Sequence, residues 1–433
     1  MKQLSKWLQE WKENSIAVNG PAPNAAPIFG VPKKAPGEIR WVIDLKERNR
    51  YTIRDYTPIP NQPIIRNDIA SHPFRSKIDM SNAYYQIRVE PADEIKNSIT
   101  AGQFGAFQIK VMLQGDCNAP ATMMRIMNTI LSPYLGKFVW VYLNDILIFS
   151  NTYNDHLNHL RQIFKKLEEN NFNLRMDKCN LLVDDIEVLG HTIKGNRITP
   201  AKEKITHITN FPTPTNKKQL QQFLGSVNYI DSHLPYIATL QAPLIELMGI
   251  QTWQWSDLQD NAFYQIKEAC NQHLPISPIN YDKLQDPNIL YNLYLVTDAS
   301  KVGVGSFVCY GKTFEEAKKN VAAIHSRKFT PAQCNYSTTD QELLAIIDAL
   351  RTFEHKLLGV KFIIVTDHMA LRMLMTQTVR NQRRIRWLET ITMFDFDIQH
   401  IQGSENILAD ALSPIYDGVK EEDLTKEDYL QEE

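Results

Sequence analysis

The sequence predicts a mixed α/β (α+β) fold built from several structural units. The chain has 433 residues, which is more than a single hydrophobic core usually organises. Strand-like apolar runs alternate with segments of helical periodicity, and the pattern changes character twice along the chain. Residues 200–286 are mostly helical, and a new pattern of strands and helices begins near Leu290. We therefore expect an α/β unit, a helical segment and a second α/β unit.

The composition is that of an ordinary globular protein, with 43% hydrophobic and 22% charged residues. No apolar run approaches the ~20 residues of a membrane span, and residues 1–7 lack the apolar core of a signal peptide. We expect an intracellular, cytoplasmic protein without a membrane partner. The scattered cysteines form no Cys-x-x-Cys or Cys/His cluster, which favours isolated buried thiols over disulfides or a zinc site.

The net charge of −2 is unevenly distributed. Residues 417–433 hold eight acidic residues and two lysines, which leaves a net charge of +4 on residues 1–416. Mild positive charge is compatible with contacts to phosphate groups. The acidic tail has the composition of a solvated, disordered end.

In the first 200 residues, strand-like pieces are expected at Ile28–Val31 and Arg40–Leu45 and at the start of the segment 74–89. After residue 150, apolar residues recur at three- and four-residue spacing and predict an amphipathic helix capped near Asn154 or Asp155. His156 and His159 lie on this helix. We interpret this pair as surface residues, since no acidic companion completes a metal site.

Residues 140–150 form two apolar runs around the polar pair Asn144 and Asp145. Both residue types tolerate positive φ, so the pair predicts a tight two-residue turn. An ordinary buried hairpin is one interpretation. A second is a catalytic carboxylate at the hairpin tip, because phosphoryl transfer to a 3′-hydroxyl uses two divalent ions ~3.5–4 Å apart. Such hard cations take carboxylate oxygens from separate elements, and Asp79 is the other candidate in this half.

Several motifs occur in order and together resemble the polymerase half of a gypsy-type LTR-retrotransposon polyprotein. They are Asp-Met-Ser-Asn-Ala-Tyr-Tyr-Gln-Ile at 79–87, Gln-Gly at 114–115, Asn-Ala-Pro-Ala-Thr at 118–122, Tyr-Leu-Asn-Asp at 142–145, Leu-Gly-His at 189–191, Phe-Pro-x-Pro at 211–214 and Phe-Leu-Gly-x-x-Asn-Tyr at 223–229. The resemblance covers nearly the whole chain. It implies a right-hand polymerase with fingers and palm in residues 1–200 and thumb and connection in 201–286. An RNase H-like domain at 287–415 and a disordered acidic tail at 416–433 complete the expected organisation.

The resemblance also implies roles for single residues. Asp79 and Asp145 match metal-binding carboxylates, and Tyr84 matches the aromatic residue that screens the sugar 2′ position. The remaining implied nucleotide contacts are Arg40, Lys34 and Gln114; Lys33 is an alternative to Lys34 because the family spacing differs by one residue here. Gly190 corresponds to the region that grips the primer, where close backbone approach explains a glycine.

Asn144 departs from the family pattern, which has aspartate at both positions of the turn. An amide oxygen still coordinates a cation, but the substitution removes a full negative charge where two dications are expected. Because each ~1.4 kcal/mol of lost transition-state stabilisation is a factor of ten in rate, we expect polymerisation weakened by orders of magnitude. A deliberate substitution that traps a substrate complex and natural decay of an element copy both remain open.

The last third of the chain resembles the RNase H domain of the same elements. Its expected elements are a strand into Asp298, a glycine-containing hairpin near 303–305, a helix from Asp340, a strand ending at Asp367, a basic helix, a strand at Phe396–Ile401 and a helix at Asn406–Leu412. The resemblance implies four catalytic, metal-binding acids: Asp298, Glu342, Asp367 and Asp410. We also expect nucleic-acid contacts from a basic helix, through Arg380, Arg383, Arg384 and Arg386, with a solvated arginine face as the alternative.

The resemblance implies synthesis of DNA on RNA or DNA templates and cleavage of RNA in RNA–DNA hybrids. The expected cofactor is Mg²⁺, with Mn²⁺ as a substitute. The expected partners are an RNA–DNA hybrid, a DNA primer–template and dNTPs, with a homodimer on the substrate and a retroelement particle as the setting. Three alternatives remain: a ribonuclease H on a template-gripping body, a non-catalytic nucleic-acid-binding or domesticated structural subunit, and a polymerase that tolerates Asn144.

Overall fold

The computed structural model describes residues 2–32, 39–80, 82–235, 237–249, 252–286, 288–368 and 382–401. The chain divides into two compact units, the first formed by residues 1–65 and 72–186 and the second by residues 66–71 and 187–433. The boundaries proposed at residues 200, 286 and 415 stay predictions. Among the described residues, no helix is both long and apolar enough to cross a membrane.

The first unit is a mixed α/β structure. Its elements are α1 Lys2–Glu13, β1 Ala17–Asn19, β2 Ala26–Pro32, β3 Ile39–Ile43, α2 Lys46–Tyr51, α3 Gln62–Ser71, β4 Phe74–Asp79, β5 Ser98–Thr100, β6 Ala106–Ile109, α4 Ala119–Leu131, β7 Val139–Tyr142, β8 Asp145–Ser150 and α5 Tyr153–Glu169. Short 3₁₀ helices occur at Ala83–Gln86, Pro91–Lys96, Gly102–Phe104 and Met176–Lys178. The final six residues of α3 group with the second unit.

Two sheets organise this unit. One has the strand order β1-β6-β5-β2-β3, and the other has the order β4-β8-β7. The three-stranded sheet buries Val139 and Val141 of β7, whose alternate positions face the core because successive side chains of a strand point to opposite faces. Helices α4 and α5 supply the other side of that core through residues such as Met127 and Ile163. This sheet carries the first candidate site.

Helix α5 begins differently from the sequence expectation. Its N-cap is Thr152, whose hydroxyl accepts a hydrogen bond from the Asp155 backbone N–H, and neither Asn154 nor Asp155 is the cap. His156 is fully buried, so the expectation that it lies at the surface was wrong. Its two ring nitrogens lie 2.8 Å from the hydroxyls of Ser76 and Ser150, and these partners make burial of the polar ring tolerable.

The second unit begins with small strands and helices and continues into a larger α/β part. Its elements are β9 Asp185–Val188, β10 His191–Lys194, β11 Arg197–Pro200, α6 Lys202–Thr209, α7 Lys217–Asn228, α8 Ile237–Gly249, α9 Asp257–Asn271, α10 Tyr281–Gln285, β12 Asn292–Ser300, β13 Gly303–Gly311, α11 Phe314–Ala317, β14 Val321–Lys328, α12 Pro331–Cys334, α13 Thr338–Thr352, α14 Glu354–Leu357, β15 Phe362–Thr366, α15 Gln382–Ile391 and β16 Phe396–His400. A 3₁₀ helix occurs at Asp231–His233. Strand β9 begins at the end of the first unit.

The larger sheet of the second unit has the order β14-β13-β12-β15-β16. Strands β12, β13 and β14 are antiparallel neighbours, whereas β15 runs parallel to both β12 and β16. The helix α13 contributes buried side chains to the same core as β12. This arrangement confirms the strands expected before Asp298 and Asp367 and the helix expected around Glu342. The helix expected at Asn406–Leu412 lies outside the described residues.

A separate hydrophobic core lies among the helices α6 to α9. The largest fully buried side chains there are Phe223 of α7 and Phe263 of α9, with ring centroids 4.6 Å apart. The two helices agree with the helical segments that periodicity predicted. Cys270 of α9 is buried as expected for an isolated thiol, as is Cys309 of β13, but Cys334 is exposed.

Candidate functional sites

The first candidate site lies at the tip of the β7–β8 hairpin. Tyr142 pairs with Asp145, so the two turn residues are Leu143 and Asn144, and Asp145 is the first residue of β8. From the sequence we expected the turn one residue later, at Asn144 and Asp145, and that expectation was wrong. Leu143 has a φ of 56°, which is uncommon for a residue with a large side chain. Positive φ at the first turn residue is the pattern of a type II′ hairpin.

The register of β4 against β8 brings two carboxylates together. Asp79 at the end of β4 lies directly opposite Asp145, and Ile78 lies opposite Ile146. Both isoleucines are fully buried, so the aspartates project from the other face of the sheet. Two sequence-distant acids therefore share one face through an ordinary antiparallel ladder.

Asn144 lines a pocket together with Asp79. The Asn144 side-chain oxygen Oδ1 is buried and has no hydrogen-bond partner among the described residues. A buried acceptor without a donor is energetically unfavourable unless a ligand supplies one. The amide oxygen and the carboxylates of Asp79 and Asp145 are the hard oxygen ligands that Mg²⁺ or Mn²⁺ prefers, so the residues present fit a divalent cation.

The predicted nucleotide contacts cluster around the same pocket. Tyr84, in the 3₁₀ helix after β4, and Gln114 both line it, and Tyr85 lines it as well. Burial raises the pKa of the Tyr84 phenol, which keeps that group neutral. Arg40 of β3 donates a hydrogen bond to the Gln114 side-chain oxygen over 3.3 Å. Three of the four predicted nucleotide contacts thus approach one another, while Lys34 lies outside the described residues.

Sequence reasoning missed the basic residues around this pocket. The Lys77 ammonium nitrogen Nζ lies 2.8 Å from Asp145 Oδ2, and Arg175 and Lys178 line the pocket beside Asp79. Strand alternation was a usable signal for Lys77, because a residue two positions before Asp79 in a strand shares its face. No comparable local signal marks Arg175 or Lys178, which reach the site from a distant segment.

The second candidate site lies in the larger sheet of the second unit. Asp298 comes from β12, Glu342 from α13, and Asp367 follows directly after β15. One side-chain oxygen of each lies within 4.8 Å of the others. Three of the four predicted acids therefore come together, because the parallel pairing of β12 and β15 brings their carboxyl ends to the same edge. Asp410 lies outside the described residues.

The surroundings of these acids suit a cation. Asp298 and Glu342 are buried, and Asp367 is half-buried. The Asp367 atom Oδ1 is buried without a hydrogen-bond partner among the described residues. His400 of β16 donates a hydrogen bond from Nε2 to the Asp367 backbone oxygen over 2.7 Å, which fixes the start of this loop. Three closely spaced carboxylates repel one another unless a cation or protons neutralise them, so the set fits a divalent metal ion.

Two arginines of the basic helix α15 form ion pairs within the protein. Arg384 Nε lies 2.9 Å from Asp340 Oδ1, and Arg383 pairs with the other oxygen of the same carboxylate. The Arg383 guanidinium also stacks 3.9 Å from the centroid of the Tyr336 ring. These contacts join α15 to α13 two residues from Glu342. Arg386 is exposed, and Arg380 lies outside the described residues.

Gly190 lies in a strained turn between β9 and β10. Leu189 and Gly190 have φ values of 48° and 67°, and a Cβ atom on Gly190 would lie 2.8 Å from the Tyr229 hydroxyl oxygen. That hydroxyl donates a hydrogen bond to the Leu189 backbone oxygen over 2.6 Å. His191 Nδ1 lies 3.0 Å from the same oxygen. Glycine is therefore required by both the backbone conformation and the close approach of Tyr229.

Two family models match this chain, and they cover the two candidate sites. Residues 31–193 match the family described as reverse transcriptase (RNA-dependent DNA polymerase), and residues 290–394 match the RNase H-like domain found in reverse transcriptase. The chain therefore carries a reverse transcriptase domain followed by an RNase H-like domain.

The relatives show in which kind of protein this pair of domains occurs. The chain is 32% identical over 417 residues to the retrovirus-related Pol polyprotein from transposon 297 of Drosophila melanogaster, a match that covers 95% of this chain and 38% of the relative. It is also 32% identical over 422 residues to the transposon Tf2-3 polyprotein of Schizosaccharomyces pombe, which covers 96% of this chain and 31% of that protein. The chain therefore combines reverse transcriptase and RNase H-like domains and is similar to transposon polyproteins, which is consistent with the LTR-retrotransposon resemblance of its motifs. It spans about a third of the length of these curated relatives.

Solved structures show the same fold at low sequence identity. The foamy viral protease-reverse transcriptase in complex with double-stranded DNA matches with a TM-score of 0.79 and 19% identity, over 92% of this chain and 82% of that one. The same viral enzyme in complex with an RNA/DNA hybrid matches with a TM-score of 0.74 and 19% identity, over 98% of this chain and 56% of that one. These matches confirm the predicted polymerase fold with an appended RNase H-like domain.

Proposed function

We propose that this chain cleaves the RNA strand of RNA–DNA hybrids and carries a DNA polymerase centre weakened by Asn144. The single observation that supports this best is the convergence of Asp298, Glu342 and Asp367 within 4.8 Å in the RNase H-like domain. A protein that only binds nucleic acid has no use for three mutually repelling, largely buried carboxylates. A nuclease uses them to hold divalent cations at the scissile phosphate.

In the nuclease centre, Asp298, Glu342 and Asp367 would hold Mg²⁺, with Mn²⁺ as a substitute, and Asp410 would complete the set. The bound cations would supply Lewis-acid stabilisation of the phosphoryl group and lower the pKa of the attacking water. Burial of Asp298 and Glu342 in the sheet and in α13 fixes their carboxylates before substrate arrives. His400 acts on the backbone of Asp367 and holds that residue in place.

In the polymerase centre, Asp79 and Asp145 would hold the cations, with the Asn144 amide oxygen as a neutral third ligand. The Tyr84 ring would lie under the sugar of the incoming nucleotide and exclude a 2′-hydroxyl. Arg40 would bind the triphosphate, because its guanidinium matches the geometry of phosphate oxygens, and Lys34 and Gln114 would complete this contact. Since an amide replaces a carboxylate at Asn144, we infer that the centre binds cations weakly and synthesises DNA slowly.

The proposed substrates are an RNA–DNA hybrid, a DNA primer–template and dNTPs. Two structural neighbours are complexes of the foamy viral enzyme, one with double-stranded DNA and one with an RNA/DNA hybrid, which supports nucleic acid as the partner here. Gly190 would contact the primer backbone. Arg386 and Arg380 would contact phosphates directly, and Arg383 and Arg384 would act mainly by joining α15 to α13. A homodimer formed on the substrate is part of this proposal.

Two substitutions test the two activities separately. Asp298→Asn should abolish cleavage of the RNA in a labelled hybrid while binding of the same hybrid, measured by fluorescence anisotropy, stays within about twofold. Asn144→Asp should raise dNTP incorporation by at least about a hundredfold, equivalent to about 3 kcal/mol of transition-state stabilisation. Asp298→Asn with unchanged cleavage would contradict the nuclease assignment. Asn144→Asp with unchanged incorporation would contradict the assignment of the turn.

A further inference from the structure

Lys77 places a positive charge inside the acidic polymerase centre. Its Nζ lies 2.8 Å from Asp145 Oδ2, and both side chains are largely buried, with 22% and 26% of their surfaces exposed. Ion pairs with this degree of burial are less screened by solvent than pairs on the open surface. The Lys77 ammonium group therefore forms an ion pair with Asp145, which is one of the two carboxylates proposed to bind the metal.

The backbone holds Lys77 in this position from both sides. On one side it is paired with Leu147 in the register of β4 and β8. On the other side, its backbone N–H and oxygen each form a 2.8 Å hydrogen bond with the backbone of Asn180. Because side chains alternate along a strand, Lys77 and Asp79 project from the same face and Ile78 projects into the core. The charge of Lys77 is directed to the acidic face by the strand itself.

An ammonium and a divalent cation compete for the same carboxylate oxygens. A fixed positive charge within a few ångströms also repels an incoming cation through space. The centre of this chain has few negative charges to offset that repulsion, since Asn144 is neutral. Asp79, Asp145 and Lys77 together carry a net charge of only −1, and the nearby Arg175 and Lys178 add positive charge to the site.

We propose that Lys77 is a positioning residue that competes with divalent cations for Asp145 and so raises the metal concentration at which the polymerase centre fills. The residue acts through Asp145 and holds its carboxylate in place when no cation is bound. This inference rests on the proposed function, because it presumes that Asp79 and Asp145 bind the cation.

The test is a Mn²⁺ titration of the full chain followed by electron paramagnetic resonance, which counts free Mn²⁺ and needs no catalysis. The background carries Asp298→Asn and Asp367→Asn, so that Mn²⁺ binding at the nuclease centre is removed. In that background, Lys77→Met should lower the Mn²⁺ dissociation constant about tenfold. Lys77→Gln keeps a hydrogen-bond donor near Asp145 but removes the charge, and it should also lower the Mn²⁺ dissociation constant. This second variant keeps the test valid if Lys77→Met folds poorly.

The matched control is Lys137→Met. Lys137 is an exposed lysine of the first unit that does not line the pocket and forms no ion pair with a described residue, so the removal of its charge should change the dissociation constant by less than about twofold. An unchanged or higher dissociation constant in both Lys77 variants would overturn the inference while the metal centre stands. If Asp79→Asn does not reduce Mn²⁺ binding in the same background, the proposed polymerase centre fails, and this inference fails with it.

Discussion

Acid should destabilise the first unit through His156. This imidazole is fully buried between two serine hydroxyls, with both ring nitrogens 2.8 Å from an oxygen. In the neutral ring one nitrogen donates a hydrogen bond and the other accepts one, so one of the two serine hydroxyls donates to His156. Protonation makes both ring nitrogens donors, and that hydroxyl must then give up the hydrogen bond that it donates.

Burial, followed by repulsion from His159, lowers the pKa of His156 from 6.5 to about 4. Because the folded-state pKa lies below the unfolded one, the unfolded chain binds the proton first as the pH falls. The stability contribution is therefore complete above pH ~6.5 and is lost progressively between pH ~6.5 and pH ~4. Between pH 7.5 and pH 5 this single group should reduce the free energy of unfolding by about 2 kcal/mol.

Urea unfolding of the full chain at a series of pH values measures this effect. Buried His191 and His233 add to the pH dependence of the wild-type chain, since burial lowers their pKa values to about 4 and about 3. The decisive quantity is therefore the difference between wild type and His156→Gln, which should lose about 2 kcal/mol of the pH-dependent change. His207→Gln, at an exposed position of α6, is the matched control. Equal pH dependence in His156→Gln and wild type would show that His156 does not cause the loss of stability in acid.

Two further predictions concern contacts that hold functional residues in place. Asp340→Asn leaves Arg383 and Arg384 without their shared carboxylate, so it should lower the free energy of unfolding by about 3 kcal/mol. It should also reduce RNA cleavage, because Glu342 is displaced. An unchanged melting temperature would contradict this structural role. Gly190→Ala places a side chain at positive φ against the Tyr229 hydroxyl and should destabilise by about 1–2 kcal/mol, measured by urea unfolding; a neutral effect would show that the turn relaxes freely.

The acidic residues of the nuclease site were easier to predict from the sequence than the contacts that surround the functional residues. Asp298 and Asp367 follow apolar runs with strong β propensity, and Glu342 lies on a periodic helix, so their elements were predictable from local signals. Their convergence was predictable only through the family resemblance, because the pairing of β12 with β15 joins residues about seventy positions apart. The placement of His156 failed for a related reason. His156 lies on helix α5, whereas Ser76 and Ser150, whose hydrogen bonds make its burial tolerable, lie on strands β4 and β8.

The hairpin turn shows the limit of turn propensities. Asn-Asp is a favourable turn pair, yet the cross-strand pairing of Tyr142 with Asp145 moves the turn to Leu143 and Asn144. Ile146 and Ile148 of β8 share a core with Ile78 and Val141, and a shift by one residue would turn them to the other face of the sheet. We infer that this packing decides the register, and Leu143 accepts a positive φ as a consequence. Strain of this kind is common where a site is held in a defined geometry.

One labelled RNA–DNA primer–template shows whether this chain joins a working nuclease to an impaired polymerase. Primer extension and RNA cleavage are followed in the same reaction with Mg²⁺, on the unaltered chain. We predict RNA cleavage with little or no primer extension. Primer extension at a rate comparable to that of Asn144→Asp, or the absence of RNA cleavage, would contradict it.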